Sequence, residues 1–152
     1  MILVRKLEAK DIFDIEKRPE TLGAMRDISM SDAERIASLP WSYSIYSEDE
    51  DRLIGVGGVT PRWQGRAEAW AILAPRVRKF IPHITRVVNA VLNDCEINRI
   101  EIAVRCDFPE GHEWASALGF KAEAECLAAY DSEGNDCSMY ARVKEIKPRK
   151  VK

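Results

Sequence analysis

The sequence predicts a mixed α/β (α+β) fold, a twisted and mostly antiparallel sheet with one parallel βαβ crossover. Three observations predict it. Two glycine- and alanine-rich β candidates, residues 53–60 and 67–74, are separated by a short turn and so pair as a meander. One long amphipathic helix, residues 82–94, lies between two β candidates, which is the crossover pattern. Two further β candidates, residues 121–130 and 137–143, flank a turn-rich loop and close the chain as a hairpin. The order β α α β β β α β α β β is neither a Rossmann nor a barrel pattern.

Taken in order, residues 2–5 are a short strand and residues 11–16 a short helix, with Ile12, Phe13 and Ile15 on its apolar side. Ser31 and Glu34 read as a capping box, the serine oxygen accepting from the third helical amide while the glutamate reaches back. The helix they open runs to about Leu39 and stops at Pro40. Trp41, Tyr43 and Ile45 alternate with Ser42, Ser44 and Tyr46, the period of a half-buried strand. Gly55, Gly57 and Gly58 inside the next strand mark a bulge or the close approach of another backbone. Residues 61–65 are a turn, and the strand after it ends at Pro75.

In the long helix, Ile81, Ile84, Val87, Val88, Val91, Leu92 and Cys95 recur at helical spacing. Pro82 stands near its start, where a missing amide proton is tolerated. Ile84, Val88, Val91 and Leu92 are the expected buried positions, and Arg86 and Asn93 the exposed ones. In residues 99–104, Ile100, Ile102 and Val104 alternate with Glu101 and Ala103 as a strand. A helix over residues 110–118 follows, capped by Gly119.

A chain of 152 residues holds one domain, over residues 1–143, and a basic tail, residues 144–152, read as a solvated and flexible end. Hydrophobic residues at 46% and charged residues at 32% allow a packed core and exclude global disorder. The longest stretch without charge, residues 36–47, is short of the ~18 residues of a membrane span. Arg5, Lys6 and Glu8 stand where a secretory signal would be apolar. A soluble cytoplasmic protein without a membrane partner is expected. Lys144, Lys147, Arg149, Lys150 and Lys152 face one carboxylate, Glu145, in the tail, and the rest of the chain is acidic. That is not the charge distribution of a nucleic-acid binder; binding through the tail and residues 76–79 would be strongly salt-dependent. Cys95, Cys106, Cys126 and Cys137 form no C-x-x-C pair, and His83 and His112 are the only histidines, so no metal site is expected. The cysteines read as reduced thiols.

Several strings resemble the GNAT acetyltransferase superfamily. Ala67-Glu68-Ala69-Trp70-Ala71-Ile72-Leu73-Ala74-Pro75 resembles its fourth strand. Ala117-Leu118-Gly119-Phe120 resembles its leucine-glycine-phenylalanine helix exit. Leu53-Ile54-Gly55 is similar to its third strand, and Val4-Arg5 with Asp11-Ile12 to its first strand and helix. Within the superfamily, the run from Pro75 to Phe120 looks like the short phage-encoded GNAT-like proteins, the group that includes an internal virion protein.

The resemblance implies helices on both faces of the sheet and transfer of an acetyl group from acetyl-CoA to an amine on a small molecule or protein. Such transfer needs positioning, a donor for the carbonyl oxygen and removal of an ammonium proton. The resemblance implies that residues 67–74 and 99–104 splay, so that the pantetheine arm lies against backbone near Ile72, Leu73 and Ala74. Glu68 matches a glutamate that serves as general base in some members of the family, directly or through water. The family's tyrosine acid falls on Ala115, with His112 as the neighbouring candidate. In the pyrophosphate loop Arg78 matches the first position, while Ile81 and His83 stand where two small residues belong and Pro82 offers no amide. Arg76, Arg78, Lys79 and Arg86, with His83 at the motif's last position, would then grip phosphate through side-chain charge. The competing reading is a non-catalytic phage protein of the same fold, a virion component or host-protein binder that has lost acetyl-CoA. Ala115 and the loop favour it; Glu68 and Arg78 favour the enzyme. Fold alone does not separate them.

Overall fold

Seven strands build one sheet, seen in a computed structural model that describes residues 1–144. Its elements are β1 (Ile2–Lys6), α1 (Ala9–Asp14), α2 (Gly23–Arg26), α3 (Met30–Ala37), β2 (Ser42–Ser47), β3 (Arg52–Trp63) and β4 (Arg66–Leu73). They continue with α4 (Ile81–Asp94), β5 (Arg99–Arg105), α5 (Pro109–Ala117), β6 (Lys121–Leu127) and β7 (Cys137–Val143). The strand order is β1-β2-β3-β4-β5-β7-β6. Every pair is antiparallel except β4 with β5, which the α4 crossover makes parallel. The expected fold class is therefore present. The expected tail beyond Lys144 lies outside the described residues. No helix among the described residues is long and apolar enough to cross a membrane.

Strand parity divides the core. Ile54, Val56 and Ile72 face α1 and α3, joining Leu7, Ile12, Ile15, Ala33 and Ile36 in one buried cluster. Val59, Ala67 and Ile100 face the other way and pack with Leu92 of α4, Ala115 of α5, Leu118, Phe120 and Tyr140. Helices thus cover both faces. Gly57 and Gly58 answer to close backbone approach: a Cβ at Gly58 would lie 2.4 Å from the carbonyl oxygen of Trp41, and one at Gly57 2.7 Å from that of Trp70. Cys95 and Cys137 are buried and Cys106 and Cys126 exposed, all four free. Burial pushes the Cys137 thiol up to about 11.

Asp11 ties the first three elements together. Its side chain is 1% exposed, yet accepts from Arg5 Nη1 at 2.8 Å and Nη2 at 2.9 Å, Ser44 Oγ at 2.7 Å and the Glu8 amide at 3.0 Å. Burial raises its pKa, but the bonds from Arg5, Ser44 and Glu8 outweigh that and hold it below the usual carboxylate range. The Glu8 amide bond also starts α1 at Ala9, earlier than the expected Asp11.

Several expectations are corrected. The helix expected from Ser31 starts at Met30, because Ser29 is the cap, its Oγ accepting from the Asp32 amide at 3.1 Å. In β2 the buried set is Ser42, Ser44, Ile45 and Ser47, while Trp41, Tyr43 and Tyr46 are half-buried. The serines are inside because each hydroxyl is bonded: Ser42 donates to the Leu39 carbonyl and accepts from Lys6, Ser44 donates to Asp11, and Ser47 accepts from the Glu50 amide. A bulge between Ile45 and Tyr46 resets the parity. β3 runs on through Pro61 to Trp63, leaving Gln64 and Gly65 as the turn. β6 ends at Leu127 rather than residue 130, since Asp136 accepts from the Ala129 amide and Asp131 from the amides of Glu133 and Asn135, folding the chain into a loop. The four-residue α2 has no apolar period that announces it.

Asp11→Ala should destabilise the protein by about 2–4 kcal/mol at pH 7, because it strips a buried acceptor from four donors. The lowered folded pKa means that the unfolded chain takes up this proton first as pH falls. The contribution is thus complete above pH ~4 and lost as pH drops through the folded value. Urea unfolding at pH 7 and pH 3 checks it: the gap between wild type and variant should narrow in acid.

Candidate active site

The site begins where a ladder stops. β4 pairs with β5 only at Arg66–Arg99, Ala67–Ile100 and Glu68–Glu101. β4 stays paired with β3 as far as Leu73, and β5 with β7 as far as Arg105. Beyond Glu68 and Glu101 the two strands therefore diverge, and the facing backbone edges of residues 69–73 and 102–105 have no ladder between them. A cleft of about 1300 Å³ runs through the gap, lined by Trp70, Ile72, Ala103, Thr85, Val88 and Trp114 among others. Ile84 and Leu92 of α4 are buried and Arg86 and Asn93 exposed, as expected. Val88 and Val91, expected to be buried, are half-buried because they line this cleft. Trp114 Nε1 donates to Thr85 Oγ1 at 2.9 Å, joining α5 to α4 across its wall.

A ladder of charges crosses the sheet at the vertex. Arg62 donates to Glu68 Oε2 at 2.7 Å and Arg66 to its other oxygen at 3.3 Å. Arg66 Nε and Arg99 Nε each donate to Glu101 at 2.7 Å, and Arg99 also pairs with Glu123. Arg66 lies over the Trp63 ring at 4.3 Å. The Glu101 carboxyl, 9% exposed, is held below the usual range, chiefly by Arg66 and then, against its burial, by Arg99. Glu68 is the more accessible of the two at 38%.

At one end of the cleft the chain leaves β4 through Ile72, Leu73 and Ala74, whose amide donates to the Ile54 carbonyl at 3.0 Å. Arg76 has φ 60°, and its guanidinium pairs with Glu16 at 3.1 Å. A 3-10 turn, Arg78–Phe80, then runs into α4. The Phe80 amide donates to Val77 and the Ile81 amide to Arg78, so two amides at this helix entry are already used. Lys79 pairs with Glu50 at 3.0 Å. Arg78, His83 and Arg86 make no ion pair among the described residues, and of these three Arg78 lines the cleft.

On the β5 side of the same mouth, the segment between α1 and α3 meets the end of β5. Arg18 lies over the Phe108 ring at 5.1 Å, and Arg105 Nη1 donates to the Pro19 carbonyl at 3.0 Å. Gly23 sits so close to the β6–β7 loop that a Cβ would meet Ser132 Oγ at 2.2 Å.

His112 is not brought to Glu68. One ring nitrogen, Nε2, lies 3.0 Å from the Arg105 carbonyl, and Nδ1 lies 2.6 Å from Tyr140 Oη. A carbonyl only accepts, so Nε2 carries a proton, and Nδ1 shares a hydrogen bond with the tyrosine hydroxyl. His112 is thereby locked between β5 and β7, and it is absent from the cleft wall, whereas Ala115 is buried at that wall. Sequence reasoning singled out Arg66 only as part of an aromatic-basic patch with Trp63 and Arg62, and missed Glu101 and Trp70. Parity would have found both: they lie on the Glu68 face, and a charged residue at the centre of a strand calls for a partner. Among the described residues, no three His, Cys, Asp or Glu side chains cluster as a metal site.

No family model matches this sequence, and neither does any curated protein. Solved structures do match in shape. A putative phosphinothricin N-acetyltransferase superposes with a TM-score of 0.72 at 11% identity, over 96% of this chain and 100% of that one. A ribosomal-protein-S5-alanine acetyltransferase from Vibrio fischeri gives 0.68 at 16% identity, over 97% and 96%. A Vibrio cholerae spermidine N-acetyltransferase chimera gives 0.68 at 17% identity, over 93% and 95%. The chain has the fold of the GNAT acetyltransferases.

Arg66→Ala should lower stability clearly more than the rim variant that follows, since it removes a principal partner of a nearly buried carboxylate. Arg62→Ala, at the exposed rim, should cost under about 1 kcal/mol. Chemical denaturation of both variants at pH 7 checks the contrast.

Proposed function

We propose that this protein is a GNAT-type N-acyltransferase that acetylates an amine from acetyl-CoA. The observation that carries the reading is the divergence of β4 from β5 after three register pairs, with a cleft through the gap. The fit of an extended pantetheine arm is supported by the unpaired backbone edges of residues 69–73 and 102–105, which offer it amides and carbonyls as a neighbouring strand would. Bound acetyl-CoA supplies an activated carbonyl whose carbon–sulfur bond breaks as the amine nitrogen bonds to its carbon.

The chain's own residues do the rest. β4 backbone near Ile72, Leu73 and Ala74 orients the arm. Arg78, which lines the cleft without an ion pair, and beyond it Arg86 and His83, meet the phosphates; Arg76 and Lys79 join them only by leaving Glu16 and Glu50. Glu68, at the vertex, takes the ammonium proton directly or through water once Arg62 swings aside. With Ala115 in place of an acid and His112 committed to Tyr140, the departing thiolate is protonated from solvent; a thiol of pKa ~8.5 leaves readily without help.

A second reading, a non-catalytic phage protein of this fold, is favoured by one observation: Pro82 and the used amides of Phe80 and Ile81 leave the helix entry poor in donors. Calorimetric titration with acetyl-CoA separates the two. Binding that weakens with salt and with Arg78→Ala supports the enzyme; no binding supports the alternative. In an acetyl-transfer assay with an amine panel, Glu68→Gln should lower the rate strongly at pH 7 and less at pH 9, where more of an amine of pKa ~10.4 is already free. Equal loss at both pH values would remove Glu68 from proton transfer.

A further inference from the structure

The sheet ends in two unlike edges, β1 and β6. β6 is blunted against pairing. Lys121, Glu123 and Glu125 charge it, and two register shifts break its line between Ala122 and Leu127. β1 is straight. Its five residues pair with β2 in one unbroken register, and Leu3 and Val4 are 43% and 44% exposed. Its two cations do not guard it. Arg5 is turned to Asp11, and the Lys6 ammonium to Ser42 Oγ at 2.7 Å and to the Leu39 carbonyl.

Backbone parity decides which groups this edge offers. In an antiparallel pair, alternate residues turn both N–H and C=O to the neighbouring strand. The Leu7 amide donates to the Ser42 carbonyl, and the Met1 carbonyl accepts from the Glu48 amide. The odd-numbered residues of β1 therefore face β2. Ile2 and Val4 turn their amides and carbonyls outward, and among the described residues nothing bonds to them.

A two-fold axis normal to the sheet and passing beside Leu3 satisfies these groups with a second copy of the same edge. Ile2 then stands opposite the partner's Val4 and exchanges a pair of hydrogen bonds with it, and Val4 does the same with the partner's Ile2. Leu3 meets the partner's Leu3 between them, at the kind of pair where side chains come closest. From Ile2 to Val4 every opposed pair is apolar. The same operation sets the two β6 edges at the far ends, where their charges and bulges stop further growth. The contact is thus isologous and closed.

We propose that β1 is a self-association edge, and that two copies of this chain pair β1 to β1, antiparallel and in register about Leu3, joining two seven-stranded sheets into one.

The test measures the mass of the full chain by sedimentation equilibrium across a wide concentration range. Wild type should rise from the mass of one chain to that of two. Leu3→Lys sets two ammonium groups opposite each other and should raise the dimer dissociation constant at least about tenfold. Val4→Pro removes an outward amide that β2 does not use, and should weaken the dimer likewise. Ala122→Lys, on β6, should leave the constant unchanged. Thermal melts at a concentration where wild type is monomeric should show that Leu3→Lys keeps the fold. In wild type, amide hydrogen exchange should show Ile2 and Val4 open when dilute and protected when concentrated, with Leu3 and Arg5 protected throughout, a readout that needs no variant. One chain's mass at every concentration, a dimer that Leu3→Lys and Val4→Pro leave intact, a dimer that Ala122→Lys dissolves, or Ile2 and Val4 amides that stay open in the dimer overturns the assignment.

Discussion

The bridge from Arg66 on β4 to Glu101 on β5 crosses the narrowest joint of this architecture. The sheet is two half-sheets, β1 to β4 and β5, β7, β6, and three register pairs are all that join them. At that joint a carboxylate sits almost out of water. Arg66 reaches it across the strand boundary while Arg99 holds its second oxygen. An unpaired charge there would be intolerable; with two guanidiniums it becomes a clamp, and burial strengthens each bond in it. The clamp closes the strands at one end and lets them part at the other. The cleft, the free backbone edges and the positions of Glu68 and Trp70 all follow from where it sits.

The sequence made the order of elements legible because the strong periods are long. The α4 stripe from Ile81 to Cys95 and the alternation from Ile100 to Val104 each repeat often enough to leave one interpretation, and the crossover follows from their spacing. β2 was harder. Its serines look like a solvent face by hydrophobicity, and only the carboxylate of Asp11, thirty-odd residues away in the chain, brings Ser44 inside. Boundaries shifted wherever a side chain bonded to backbone: Ser29 ahead of α3, Asp11 at α1, Asp131 and Asp136 after β6. Those are pair properties, and a run of residues read one at a time does not contain them.

The site was legible in a different way. Glu68 and the β4 edge came from a family resemblance, and the geometry puts them at the vertex and along the gap. His112 was singled out only by adjacency to Ala115; the Tyr140 hydroxyl and the Arg105 carbonyl that occupy its ring come from strands it meets only on folding. The basic run after Pro75 divided in the same manner, since Glu16 and Glu50 each capture one of its cations. Which cations stay available to a ligand is decided by acids far away in the chain.

The halves of the sheet are also halves of the chain. Everything up to Leu73 builds one, everything from Arg99 onward builds the other, and α4 is the single covalent link. Backbone nicked after α4 would yield two fragments, each with its own ladder of strands intact, held together by three rungs, the charge clamp, the packing of α4, the cluster of Val59 and Ala67 with Ala115, Phe120 and Tyr140, and the Arg105–Pro19 bond. A molecule lying between β4 and β5 would bond to both fragments at once. It would serve as mortar between them, so that occupancy of the gap and cohesion of the whole particle become one thermodynamic quantity.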